Sequence, residues 1–325
     1  MDDYRGFERG EFRPDNGVAV ALNGGLGSVR RSPGGSDWEA VEHFLDQRHA
    51  PATRAVYRSS WRKFEAWCSD TRRPSLPAAA ETVAMFLASE GTAGRSPSTI
   101  ARHKAAIRHA HLDAGLADPT GDGVVPELLK GIRRSVGLSK TTKAPMTEDL
   151  LDRVLAPIDD TVAGLRDRAI LTLGYAAALR RSELARLTVD DVAFDEGDLT
   201  VRIRRSKTDQ EARGQEVTLT GDSAERAASA ITRWVEAANI ADGFLFRRIN
   251  KGGRVRADGL TPHGIGAIVK RRVAAADLDA EIFGAHSLRS GALTDRAKAG
   301  DSVWQLRARS RHKSVASLQE YVRIE

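Results

Sequence analysis

The chain has 325 residues, 50 Lys plus Arg against 44 Asp plus Glu, a net charge of +6 and a pI near 9.6, with 41% hydrophobic and 29% charged residues. That length accommodates two domains with separate cores, and the composition is that of a soluble globular protein. A single cysteine, Cys68, excludes an intrachain disulfide and a structural zinc site. No apolar run of membrane-spanning length and no apolar signal core is seen, so the expected setting is the cytoplasm without a membrane partner.

Ten of the cationic residues are Lys and 40 are Arg. Arginine binds phosphate bidentately and stays charged, so the excess fits a nucleic-acid partner; it fits codon bias equally, and clustering has to decide. Residues 1–35 are Gly-rich, with five Arg balanced by five acids, and read as a flexible arm. Helical patterning begins at Ser36. A short helix is expected over Asp37–His49 and a second over Thr53–Ser69, with Val56, Ser60, Phe64 and Trp67 inward. Cys68, among aromatics, reads as an inert buried thiol. A third helix is expected over Ala79–Ser89. A fourth follows the Ser96-Pro97 start signal to about Ala114, with Ile100, Ile107 and Ala114 inward and Lys104, Arg108 and His111 on another face. Pro126–Val136 makes a fifth. Residues 36–137 thus read as one all-helical domain, and the polar stretch 138–145 as a linker.

A second domain, 146–325, starts with a helix capped by Thr147 and carrying Glu148 and Asp149 in its first turn. Leu165–Ala178 is apolar on nearly all sides and should be its central helix. In the LRRSEL stretch that follows, Arg180 and Glu183 fall on one helical face. Two strands, Leu199–Arg204 and Gln215–Leu219, flank a charged hairpin loop containing Lys207. Ala224–Ala238 is helical. The run 247–256, RRINKGGRVR, holds five cations and no acid and reads as a loop facing phosphates, with another helix over 261–276. The last forty residues supply His286 and Arg289 in HSLRSG, then His312, then Tyr321. One oxygen nucleophile among cations and imidazoles, without paired carboxylates, metal-ligand spacing or a phosphate loop, suits attack on a phosphate diester. Singly, each of these residues has a plainer role as an ion pair, a cap or packing.

Together, ALRRSEL, RSKT, HSLRSG and the His312–Tyr321 spacing resemble the tyrosine recombinase (phage integrase) family over about residues 37–321. The resemblance implies a mainly α fold with a small antiparallel β-sheet, divided into a helical core-binding domain and a mixed α+β catalytic domain. It implies a site-specific DNA recombinase that cleaves and rejoins strands through a 3′-phosphotyrosyl intermediate, with no cofactor, metal or ATP. Tyr321 would be the nucleophile. Arg180 and Arg289 would bind the nonbridging oxygens, and Lys207 would protonate the leaving 5′-oxygen. His286 would act as base or phosphate contact, His312 would hydrogen-bond a phosphate oxygen, and Glu183 would orient its neighbours. The implied partner is double-stranded DNA, bound as a homotetramer on two sites with room for an accessory protein. DNA contacts outside the active site are assigned to Lys104, Arg108, Arg247, Arg248 and Arg254.

Many family members carry a further helix after the nucleophile that docks into a neighbouring subunit. Here VRIE follows Tyr321, so coupling is expected through another surface, such as the helix carrying Tyr321, or to be weaker. The arm shows no second DNA-binding domain, which favours a simpler recombinase over a large integrase that binds arm sites. The rival readings are a type IB topoisomerase-like enzyme that acts alone and a non-catalytic DNA-binding protein on the same fold.

Overall fold

The computed structural model describes residues 50–121, 123–136, 143–204, 214–312 and Leu318. The expected helix at Asp37–His49, the arm and the larger part of the 138–145 linker lie outside them, as do Lys207 and Tyr321. The chain divides into two compact units between Lys140 and Thr141.

The described part of the first unit is helical: α1 (Pro51–Asp70), α2 (Ala80–Thr92), α3 (Pro97–Asp113) and α4 (Val124–Val136). The Ser96 hydroxyl caps α3 by accepting the Thr99 N–H, with Pro97 in the first turn. Trp61, Phe64 and Cys68 of α1, Phe86 and Leu87 of α2, Ile100 and Ile107 of α3, and Val125, Leu129 and Ile132 of α4 form the core. Of the expected inward face of α1, Ser60 and Phe64 are buried, but Val56 is exposed, Trp67 is only partly buried, and Trp61 lies inside. Trp61 is recruited because its ring stacks edge-on against His111 at 6.1 Å.

His111 is likewise a correction, since it is buried rather than on the outer face. Its Nε2 accepts the Ala78 N–H at 2.9 Å, and Nδ1 lies 2.9 Å from the Ile107 carbonyl. The ring is therefore a neutral bridge, with its pKa pushed down by burial. Ala114 falls one residue beyond α3 and is half-buried, not inward.

The second unit opens with residues 143–145 running along 281–282, where the Ala144 N–H donates to the Ile282 carbonyl at 2.8 Å. Then come α5 (Glu148–Leu155), α6 (Val162–Ala176) and the one-turn α7 (Arg181–Leu184). Thr147 occupies the N-cap of α5, but its side chain makes no capping bond. The Glu148 N–H is taken instead by the Asp295 carboxylate at 2.8 Å, which also accepts from the Tyr175 hydroxyl at 2.7 Å. Thr147 is thus a cap by position only.

Three antiparallel strands follow in the order β1 (Val192–Asp195), β2 (Asp198–Ile203), β3 (Gln215–Leu219). β1 was not expected. It is turned into β2 by Glu196 and Gly197, both at positive φ (+46° and +92°), as a two-residue hairpin requires. Leu199, Val201 and Ile203 alternate inward from β2.

After α8 (Asp222–Ala237), the cationic run expected as a loop forms a second hairpin, β4 (Arg247–Ile249) with β5 (Val255–Gly259). Ile249 and Val255 sit opposite one another and pack on the core, which the surrounding arginines obscure in the sequence. The unit closes with α9 (Pro262–Ala275), α10 (Ala285–Lys298) and α11 (Val303–Ser310). Helix α6 is central and buried on most sides, but not by apolar residues alone. Asp167, with no exposure, accepts from Arg166 at 2.8 Å and from Arg271 and Arg272 of α9 at 2.6 and 2.8 Å. A buried carboxylate requires such partners.

Candidate active site

The HSLRSG segment forms the first two turns of α10, and its small residues seat that helix. The Ser287 hydroxyl accepts the Gly284 N–H at 3.0 Å, and the Ser287 carbonyl accepts the Met146 N–H at 2.8 Å. Gly291 lets the Met146 backbone pass so closely that a Cβ there would lie 1.7 Å from the Met146 oxygen. Leu288 packs on Gly174 of α6 in the same way. With the helix pinned on these sides, Arg289 points into the protein and is fully buried, while His286, three residues earlier, is exposed. Arg289 Nη1 donates to the Ala178 carbonyl at 2.7 Å, and Nη2 donates to the Ser310 carbonyl.

The chain leaves α6 through Ala178, a non-glycine residue at φ +46°, and Arg180 then takes the N-cap of α7. Glu183 reaches back: Oε2 accepts the Arg180 N–H at 2.9 Å, and Oε1 accepts from Arg180 Nη1 at 2.7 Å. Burial alone would raise the Glu183 pKa. The Arg311 charge, the Arg180 N–H and the Arg180 guanidinium outweigh it and hold the carboxyl below its ordinary range.

Helix α11 starts with a reciprocal cap between Ser302 and Gln305 and ends in a left-handed turn at Arg311, φ +55°. The Arg311 guanidinium lies inside the site, donating to Glu183 Oε2 at 3.1 Å and to the Ala178 and Ala177 carbonyls at 3.1 and 3.3 Å. Its own carbonyl accepts from Arg180 Nη2 at 3.4 Å. His312 follows, with Nδ1 2.7 Å from the Ser310 hydroxyl. Burial, then the charges of Arg289, Arg180, His286 and Arg311, push its pKa down to about 4. At neutral pH the ring is therefore uncharged and offers one N–H. Leu318, three positions before Tyr321 in sequence, is buried against Leu293 of α10 and Leu306 of α11.

Arg180, Glu183, Arg289 and His312 thus converge, and His286 is close enough to act on the charge of His312. Arg311 and Ser310 belong to the same cluster and escaped sequence reasoning. No glycine or asparagine marks the turn at 311, and Arg311 reads as one more cation in an arginine-rich run. The residues assigned to DNA contact are not part of this cluster's hydrogen-bond network. Lys104 is half-buried, and Arg108 is exposed and bonded to Asp118 at 2.8 Å. On the β4–β5 hairpin Arg248 and Arg254 are exposed, whereas Arg247 folds back onto the Phe244 and Asp242 carbonyls.

The second unit matches a protein-family model, that of the phage integrase family, over residues 145–325. The chain is 30% identical to an integrase/recombinase xerD homolog of Selenomonas ruminantium over 285 residues, covering 86% of this chain and 83% of that protein. It is 27% identical to recombinase cre of Escherichia phage P1 over 304 residues, 87% of each. Among solved structures, it superposes on the Tn1549 transposon integrase in complex with transposon right end DNA with a TM-score of 0.60 at 17% identity, over 87% of this chain and 92% of that one. On the XerH recombinase bound to its difH substrate the TM-score is 0.59 at 19% identity, over 83% and 76%. These structural likenesses establish the fold, and the sequence matches establish the lineage. The chain belongs to the phage integrase family of tyrosine recombinases.

Proposed function

We propose that this protein is a site-specific DNA recombinase that breaks and rejoins duplex DNA by transesterification. The observation that carries the reading is the convergence of Arg180 and Arg289 beside an uncharged His312. Negative charge builds on the nonbridging oxygens of a phosphodiester under attack, and fixed guanidinium and imidazole donors stabilise it most where water is excluded. The Tyr321 oxygen attacks phosphorus, the bond to the 5′-oxygen breaks, and a 3′-phosphotyrosyl link forms. His286 accepts the phenol proton, or contacts the phosphate, and Lys207 delivers a proton to the leaving 5′-oxygen. A 5′-hydroxyl from the second strand then reverses the step. Bond energy is conserved throughout, so no nucleotide is consumed. Glu183 orients Arg180 and does not react.

Residues 36–137 are proposed as the core-binding domain and 146–325 as the catalytic domain, with 138–145 between them. Duplex DNA contacts are proposed at Lys104 and Arg108 in the first and at Arg248 and Arg254 in the second. A homotetramer on two sites is the proposed working assembly. Both sequence relatives are named as recombinases, which supports this reading.

The test is covalent trapping: incubate the protein with nicked duplexes drawn from its own genomic neighbourhood and look for a denaturation-resistant protein–DNA adduct. Wild type should form it and Tyr321→Phe should not. An adduct retained by Tyr321→Phe would remove Tyr321 as nucleophile, and tight binding without any adduct would favour a non-catalytic DNA-binding protein. Joining of two separate sites in one reaction distinguishes recombination from relaxation by a single subunit.

A further inference from the structure

We propose that Arg311 is a positioning residue for strand cleavage, holding the Arg180 guanidinium through Glu183. The proposal rests on the recombinase reading above.

Two features make Arg311 an expensive choice for a helix end. Its backbone is left-handed, φ +55°, where glycine closes a helix without strain and an L side chain does not. Its side chain is also only 4% exposed, and a cation taken out of water is unfavourable unless it is paired and hydrogen-bonded. Strain and buried charge coincide at one residue, at the edge of a proposed catalytic cluster, and both persist only where surrounding contacts determine the conformation.

Those contacts define what Arg311 does. Its Nη2 donates to Glu183 Oε2 at 3.1 Å, so Glu183 cannot turn that oxygen away, and Oε1 stays 2.7 Å from Arg180 Nη1. The Arg311 carbonyl, turned by the left-handed backbone, accepts from Arg180 Nη2 at 3.4 Å. Both terminal nitrogens of Arg180 are therefore fixed by groups that Arg311 supplies or holds. Arg311 Nη2 and Arg289 Nη1 also share the Ala178 carbonyl, at 3.1 and 2.7 Å, which sets the spacing between the two phosphate-binding candidates. Arg180 keeps 18% of its side chain open to solvent and can meet a phosphate. Arg311 spends its charge on the Glu183 carboxylate, and its effect on the reaction is indirect.

The test compares single-turnover adduct formation, at saturating protein on the trapping duplexes, for wild type, Arg311→Gly, Arg311→Lys, Glu183→Gln and the Glu183→Gln/Arg311→Gly double variant. Glycine is the best residue for the backbone at 311, so a cap alone would lose nothing. The positioning role predicts a rate lower by about 10²-fold in Arg311→Gly, the scale of a misplaced catalytic group, with DNA affinity close to wild type in a protein that stays folded but melts at a lower temperature because Glu183 loses a buried partner. Arg311→Lys should recover part of the rate. Because the effect runs through Glu183, the two single losses should not multiply in the double variant. A wild-type rate in Arg311→Gly, losses that multiply, or a variant that fails to fold would each overturn the proposal, the last by making Arg311 structural. Absence of adduct with wild type would instead count against the recombinase reading itself.

Discussion

Replacing Gly291 with Ala tests how α10 is held, and its magnitude follows from the packing. The added Cβ would lie 1.7 Å from the Met146 oxygen and 2.2 Å from its carbonyl carbon. These are backbone atoms, with no side chain free to swing aside. Reaching even the 3.0 Å floor of real Cβ contacts requires the two segments to part by 1.3 Å. Overpacking of this kind costs about 1–3 kcal/mol. The movement also breaks the Met146 N–H bond to the Ser287 carbonyl, worth about 1–3 kcal/mol if the groups stay buried. Alanine returns about 1 kcal/mol of helix propensity, leaving a net loss of about 1–5 kcal/mol. For a unit of this size that lowers the melting temperature by about 2–20 °C.

Gly266→Ala in the middle of α9 is the control, since a Cβ there meets nothing within 4 Å. It should gain about 0.5–1 kcal/mol. Thermal unfolding followed by circular dichroism reads both variants. A Gly291→Ala protein that melts at or above the wild-type temperature would refute the account of how α10 is seated. The displacement also shifts Arg289, so cleavage by any folded Gly291→Ala protein should fall by about 10²-fold.

The ring of His312 should titrate with a midpoint near 4 by NMR, far below an exposed histidine. A depressed folded-state value means that the unfolded chain binds the proton first. The contribution of His312 to stability is therefore complete above the unfolded value of about 6.5 and is lost as pH falls from there to about 4. A midpoint at the ordinary value would show that the ring is neither buried nor beside the cations described. On the β4–β5 hairpin, Arg248→Ala should lower the salt slope of DNA binding by about 0.9, the release of one phosphate contact. Arg247→Ala should leave the slope unchanged and lower the melting temperature, because its guanidinium is spent on the Phe244 and Asp242 carbonyls. Equal slopes for wild type and Arg248→Ala would remove Arg248 from the interface.

Among the described residues, helices were legible where a start signal met a regular apolar spacing, as in α3, where Ser96 and Pro97 mark the first turn and Ile100 and Ile107 turn inward. Patterning failed where polar groups do the packing. His111 looks like a surface residue because nothing near it in sequence announces that the Ala78 N–H needs an acceptor. The β4–β5 hairpin looks like a solvated loop because only Ile249 and Val255 face inward among five cations. Asp167 sits in a run that reads as apolar, and its partners Arg271 and Arg272 come from more than a hundred residues downstream.

At the site, the sequence alone determined which residue types are present and in what order: Arg180 with Glu183 one helical turn on, His286 with Arg289, then His312. Those relations are local, and chemistry limits the residues that can perform each task. The tertiary structure decided how they are held. Arg180 is fixed by Glu183 and by a carbonyl 131 residues away, and Arg289 is fixed by the carbonyls of Ala178 and Ser310. The strain at Ala178 and Arg311 and the neutrality of His312 arise only when α6, α10 and α11 meet. Backbone carbonyls carry no residue identity, so a site held together by them cannot be read from side chains in order along the chain.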